Sequence, residues 1–218
     1  MPDLVPIWHP SPNFGPRRDG LTPTLIVIHY TAMANAEAAL ERLCDPRAEV
    51  SSHYLISSCG KVFHLVKESQ RAWHAGQGEW HGQNDINSRS IGIELDNRGD
   101  HPFSNPQMEA LCTLLKQIMS RWNIPPEGVI GHSDMAPGRK SDPGPRFDWA
   151  RLATMGLARG AGVASSATVS PSPADLRAAA TGLGYTAPCD EQTLVTALRH
   201  RYRPQGRGPL SQADMAAL

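Results

Sequence analysis

The six residues Thr24 to His29, TLIVIH, constrain this chain more than any other stretch. So short a run, made almost entirely of leucine and β-branched residues, has the pattern of a central strand buried on both faces. His29 closes the run at the point where sheet gives way to loop, a common location for ligands. A second run, Ser90 to Leu95 (SIGIEL), alternates instead: Ile91, Ile93 and Leu95 point one way, and Gly92, Glu94 and Asp96 the other. Glu94 is therefore a carboxylate in mid-strand. Among apolar neighbours it is costly without a partner, which favours a general base facing a cleft over a solvated residue on an edge strand. Asp96 shares its face nearer the strand end and is the second candidate.

Around these two strands the remaining elements fall into place. Pro2, Pro6, Pro10, Pro12, Pro16 and Pro23 predict an extended N-terminal arm lying across the domain. Ala34 to Cys44 is a packing helix ended by Asp45-Pro46. Ser52 to Ile56 and Lys61 to Val66 read as a β-hairpin turning on Ser57-Ser58-Cys59-Gly60. Glu68 to Ser90 reads as a long irregular loop carrying Trp73, His74, Trp80 and His81. Ser104 and Gln107 form a capping-box pair before a helix reaching Asn123, which Pro125-Pro126 stops, and Gly128 to His132 is a further strand ending in a histidine. The domain layout expected is 1–160, a linker over 161–173 rich in alanine, glycine and serine, and a small helical unit over 174–218. That unit is near the lower limit for independent folding, so it should pack against the first domain.

Charge and cysteine usage narrow the partners. Lysine plus arginine and aspartate plus glutamate both number 21, with no basic stripe to track a nucleic-acid backbone, so nucleic acid is not an expected partner. Cys44, Cys59, Cys112 and Cys189 are scattered without a CxxC pair, which suits free thiols in a reducing compartment and favours the cytosol. The first 20 residues show neither an export signal nor a cysteine for lipid attachment, and no stretch reaches the roughly 18 apolar residues of a membrane span. A periplasmic address is the alternative, and a monomer is expected.

The chemistry concentrates in Gly131 to Trp149, GHSDMAPGRKSDPGPRFDW, whose prolines and glycines argue against regular helix or strand. It carries His132, Asp134, Lys140 and Asp142. His29 and His132, each at a strand end, could join Asp142 in a His2Asp site, three protein ligands that leave zinc one open position. The residues alone leave the plainer reading open, in which His29 caps a strand and Asp142 is a turn residue before Pro143. Lys140 could stabilise an oxyanion formed when hydroxide attacks a carbonyl. Trp73, His74 and Trp80 suit either a core or the walls of a sugar or peptide groove. His53 and His64 read as packed or surface histidines.

Five segments in order, IVIHYT (26–31), SSHYLIS (51–57), RAWHAG (71–76), SIGIELDN (90–97) and HSDMAPGRKSDPGPRFDW (132–149), together resemble the zinc-dependent N-acetylmuramoyl-L-alanine amidases of the type 2 amidase family. The resemblance covers about Trp8 to Leu157. It implies an α/β fold, a mixed central sheet flanked by helices. It implies Zn2+ on His29, His132 and Asp142, catalytic Glu94 and Lys140, and substrate contacts from Arg71, Trp73 and His74. The implied reaction is hydrolysis of the amide between N-acetylmuramic acid and L-alanine in peptidoglycan fragments, the muropeptide partners of this chain. LGY (183–185) and ALRHRYRP (197–204) resemble the small peptidoglycan-binding-like domain that follows the catalytic domain in one branch of the family. That branch is typically lipid-anchored outside the cytoplasm, whereas another works in the cytosol on 1,6-anhydro-muropeptides, and the address argued above selects the latter. Some relatives bind muropeptides without cutting them, typically lacking one zinc ligand; none is missing here.

Overall fold

The computed structural model describes residues 4–162 and 171–218. Most of the expected linker falls outside the described residues. The central sheet has six strands in the order β1-β5-β4-β7-β3-β8. These are β1 (Ile7–Trp8), β3 (Leu25–Tyr30), β4 (Tyr54–Ile56), β5 (Val62–His64), β7 (Ser90–Leu95) and β8 (Val129–Gly131). β4 and β5 pair antiparallel as a hairpin, while β4, β7, β3 and β8 run parallel. The sheet is therefore mixed, and the apolar run of β3 lies inside it, with Ile26, Val27 and Ile28 fully buried.

Helices cover both faces. On one, α3 (Asn105–Trp122) packs Leu111, Leu114, Leu115 and Ile118 onto Ile26, Ile28, Ile91 and Ile93. α5 (Trp149–Thr154) adds Trp149 and Leu152 to the same core. On the other, α1 (Ala36–Cys44) sits over Leu55 and Ala72. The C-terminal helices α6 (Pro173–Leu183), α7 (Glu191–Tyr202) and α8 (Gln212–Ala216) share one core with Val27, Ile130, Met135 and Trp80. Between α1 and these helices the second face stays open, at the C-terminal ends of β3 and β7. Ligands in α/β sheets bind at that edge.

Three local expectations change. The N-terminal arm supplies the edge strand β1 and also β2 (Phe14–Pro16), which pairs antiparallel with β6 (Gln70–Ala72); with α2 (Ile86–Arg89), this gives structure to much of the stretch expected to be irregular. The Gly131 to Trp149 stretch is not wholly irregular either: Gly131 completes β8 and His132–Met135 form one helical turn, α4, because no proline intervenes before Pro137. Finally, Ser104 Oγ accepts the Gln107 N–H as an N-cap should, but the Gln107 amide does not return the bond. It is buried and donates to the carbonyls of Ile56 and Asp96, at the ends of β4 and β7.

Candidate active site

His29 and Glu94 are direct neighbours across β3 and β7, so both project from the open face. His132 stands at the first position of α4, directly after β8. Asp142 comes from the loop beyond, which is held to the same turn by the Ser133 N–H donating to the Asp142 carbonyl at 2.9 Å. These three brought-together residues are nearly fully buried, and three of their atoms converge. His29 Nδ1 lies 2.9 Å from His132 Nδ1 and 2.9 Å from Asp142 Oδ2, which lies 3.1 Å from His132 Nδ1.

The hydrogen-bond partners outside this triangle decide where its protons are. Ser90 donates its hydroxyl to the Ile86 carbonyl at 2.6 Å, so its oxygen is left to accept from His74 Nε2 at 3.2 Å. His74 Nδ1 is then the acceptor for His29 Nε2 at 3.0 Å. On the other side His132 Nε2 faces the Ala75 carbonyl at 2.9 Å, a group that can only accept. Burial, and then the neighbouring His132, pushes His29 down to about 4, and burial holds His74 well below the usual range, so each ring carries a single proton. His29 thus carries its proton on Nε2, and His132 Nε2 is placed to donate to the Ala75 carbonyl. Inside the triangle two imidazole nitrogens and a carboxylate oxygen lie within 3.1 Å of one another. Such a group could hold a metal ion, and its outer hydrogen bonds are of the kind that orient ligand rings.

Glu94 has a different environment. Its Oε2 is buried with no hydrogen-bond partner among the described residues. Burial first, and the Asp142 charge second, raise its carboxyl to about 8 against the opposing pull of Lys140. An unpartnered carboxyl beside a cation site is poised to exchange a proton with a bound water or substrate. Lys140 lines the same cleft, of about 450 Å³, together with His29, Glu94, His132, Asp142 and Trp73.

The remaining candidates separate. Trp73 lines this cleft and a second groove of about 620 Å³ that leaves the site past Arg18, Arg71 and Arg139. Arg71 reaches that groove while paired with Asp85 at 3.2 Å. His74 borders both openings, but its two ring nitrogens are committed to His29 and Ser90, so it offers a substrate only its ring face. Asp96 lies past the end of β7 and accepts from the Ser58 N–H at 3.2 Å. Asp134 is 1 % exposed and turned away from the triangle, bonded to Gly131, Tyr185 and Arg201. Sequence reasoning missed Ser90, Ala75 and Asn87, whose Oδ1 accepts the N–H groups of both His74 and Ala75. It also missed Arg139, which donates to the Ala75 and Gln77 carbonyls. One signal was available. Gly92 interrupts β7 on the Glu94 face, and glycine in a strand marks close approach; the His74 ring fills that space.

Comparison with known proteins identifies relatives of the chain. Residues 19–145 match the family Amidase_2, described as N-acetylmuramoyl-L-alanine amidase. The Escherichia coli K12 N-acetylmuramoyl-L-alanine amidase AmiD is 44% identical over 149 residues, 61% of this chain and 53% of AmiD, so the match spans about half of that relative. The 1,6-anhydro-N-acetylmuramyl-L-alanine amidase AmpD of the same strain is 34% identical over 66% of this chain and 87% of its own length. Among solved structures, AmpDh3 from Pseudomonas aeruginosa in complex with anhydromuramic pentapeptide superposes with a TM-score of 0.81 at 31% identity, covering 95% of this chain and 92% of that one. E. coli AmiD in complex with the substrate anhydro-N-acetylmuramic acid-L-Ala-D-gamma-Glu-L-Lys gives 0.77 at 33% identity, over 92% and 91%.

Proposed function

Since the chain belongs to the Amidase_2 family of N-acetylmuramoyl-L-alanine amidases, we propose that it hydrolyses the amide between N-acetylmuramic acid and L-alanine in 1,6-anhydro-muropeptides, using one zinc ion held by His29, His132 and Asp142. The observation that carries this reading is the buried triangle of two imidazole nitrogens and a carboxylate oxygen. Two nitrogens and one oxygen with a fourth position open to a cleft is a donor set typical of catalytic zinc. Ligand atoms around a tetrahedral zinc stand about 3.3 Å apart, so the triangle needs to open by only a few tenths of an ångström.

When bound, zinc supplies Lewis acidity that acidifies an attacking water and draws charge onto the amide oxygen. Glu94 takes the proton of that water. Its raised affinity for a proton in the metal-free protein comes from burial first and the Asp142 charge second, and a divalent cation in the triangle would favour the ionised carboxylate that a base requires. It then passes the proton to the amide nitrogen as the carbon–nitrogen bond breaks, giving a muramic carboxylate and a free L-alanyl amine. Lys140 places its positive charge in the same cleft, where it stabilises the oxyanion. Trp73 walls both openings, and the Arg18, Arg71 and Arg139 side suits the carboxylates of a stem peptide.

The anhydro-muropeptide assignment is supported by the printed names of AmpD and of the AmiD and AmpDh3 complexes. A cytosolic address is supported by the four unpaired cysteines, and no described helix is long and apolar enough to cross a membrane. For the domains we propose a catalytic unit over 1–160 and a small peptidoglycan-binding-like helical unit over 174–218, in a monomeric protein. The test is product analysis. Incubated with anhydro-muropeptide, the purified chain should release L-alanyl peptide, lose that activity to a chelator and regain it with zinc; peptide release that survives chelation would contradict the zinc assignment.

A further inference from the structure

The C-terminal helices touch the metal-bearing turn itself. Asp134, two residues after His132 in α4, is 1 % exposed, and both carboxylate oxygens are taken. Oδ2 accepts the Gly131 N–H at 2.8 Å and Arg201 Nη1 at 2.7 Å, and Oδ1 accepts the Tyr185 hydroxyl at 2.6 Å. Arg201 comes from α7 and Tyr185 from the segment after α6. Arg201 also donates through Nη2 to the Val129 carbonyl at 3.1 Å and lies 4.1 Å over the Trp149 ring. One guanidinium thus bridges the start of β8, the end of the α4 turn and the residue that opens α5. The same helices reach the loop next to His74 and Ala75, where His81 N–H donates to the Gly184 carbonyl at 2.9 Å and Gly82 N–H to Thr186 Oγ1 at 2.8 Å.

We propose that the C-terminal helices are a working part of the metal site, with Arg201 and Tyr185 acting as positioning residues that hold His132 in place through Asp134. This rests on the metal reading above and goes beyond it, since it gives the helical unit a role in metal retention that ligand binding by an appended module would not predict. A buried carboxylate that loses its bonded cation turns toward other donors or water, which loosens its bond to the Gly131 N–H and frees the turn whose first side chain is His132. Metal sites are sensitive to displacements of about 0.2 Å, and outer supports of this kind carry roughly 10- to 100-fold in affinity.

A second buried ion pair supplies the control. Arg199 and Asp214, 2.7 Å apart, join α7 to α8 entirely within the C-terminal helices, and the Arg199 partners are all C-terminal. Breaking it damages the helical unit without touching the β8–α4 turn. The experiment measures zinc affinity of the full chain by competition with a chromophoric chelator, with circular dichroism confirming folding, in wild type, Arg201→Met, Tyr185→Phe and Arg199→Met. The expected result is zinc binding weakened roughly 10- to 100-fold by Arg201→Met and several-fold by Tyr185→Phe, with Arg199→Met within about twofold of wild type despite a lower melting temperature. Should Arg201→Met not fold, Tyr185→Phe against Arg199→Met decides alone. Equal zinc affinity in the Arg201 or Tyr185 variant and the Arg199 variant overturns the proposal while leaving the zinc site standing; a wild-type chain that binds no zinc overturns the metal reading itself.

Discussion

Gly92→Ala adds one methyl group to the strand beside Glu94, and the structure fixes what that methyl meets. A Cβ at Gly92 lies 2.5, 2.6 and 2.7 Å from Cγ, Cδ2 and Nδ1 of His74. Ordinary carbon contacts are about 3.5 to 4 Å, so the ring must retreat by about 1 Å. The strand cannot retreat instead, because Gly92 N–H donates to His53 Nδ1 at 2.9 Å and its carbonyl accepts the His53 N–H at 3.1 Å. A displacement of that size is enough to take the 3.0 Å bond between His29 Nε2 and His74 Nδ1 out to roughly 4 Å, beyond any hydrogen bond. His29 then loses the partner that fixes its tautomer. Loss of such a support costs about 10- to 100-fold in metal affinity, or roughly 1.4 to 2.7 kcal/mol. The assay is chelator competition for zinc on the folded variant, alongside Ser90→Ala, which removes only the last link of the chain and should cost less, about 3- to 10-fold. A folded Gly92→Ala protein with wild-type zinc affinity would refute the relay from His29 through His74 to Ser90.

Other outcomes follow from the same geometry. Lys140→Met should retain zinc and lower kcat by about 10²- to 10³-fold, as removal of an oxyanion partner does; equimolar zinc with unchanged kcat would exclude that role. In the metal-free protein Glu94 holds its proton up to about pH 8, whereas the unfolded chain releases it near 4.5. The native state binds the extra proton across that window, so stability falls as pH rises. The effect is cleanest from about pH 6.5 to 8, above the pKa of ordinary histidine, and thermal melts should show Glu94→Gln flattening the slope. Deleting residues 165–218 should abolish turnover of small and polymeric substrates together, because it uncovers Val27, Ile130, Met135 and Trp80 and leaves Asp134 without Arg201; loss confined to polymeric peptidoglycan would show a separable binding module.

What could be read from the sequence was set by range. β3 and β7 announce themselves because their sequence patterns are local, a nearly continuous apolar run in one and alternation in the other, although both strands are buried along almost their whole length. His29, His132 and Asp142 stood out as candidates because strand ends and a proline-rich loop mark where polar groups collect, and Glu94 because it is a mid-strand carboxylate among apolar neighbours. The short elements were hidden: β2 and β6 are three residues each, too brief for any period, and exist only because they pair across 56 residues. His74 was expected to meet substrate, since nothing in RAWHAG reveals that its nitrogens would find His29 and Ser90. Asp134 was equally opaque, because Arg201 lies 67 residues away and its chemistry depends on how α7 docks.

The central claim, that His29, His132 and Asp142 hold a zinc ion for which Glu94 works as the base, is tested most directly in one variant. Glu94→Gln should copurify with about one zinc per chain while releasing L-alanyl peptide from anhydro-muropeptide at least about 10²-fold more slowly than wild type. Zinc-loaded Glu94→Gln turning over at the wild-type rate, or no zinc in a folded protein with all three ligands intact, would contradict it.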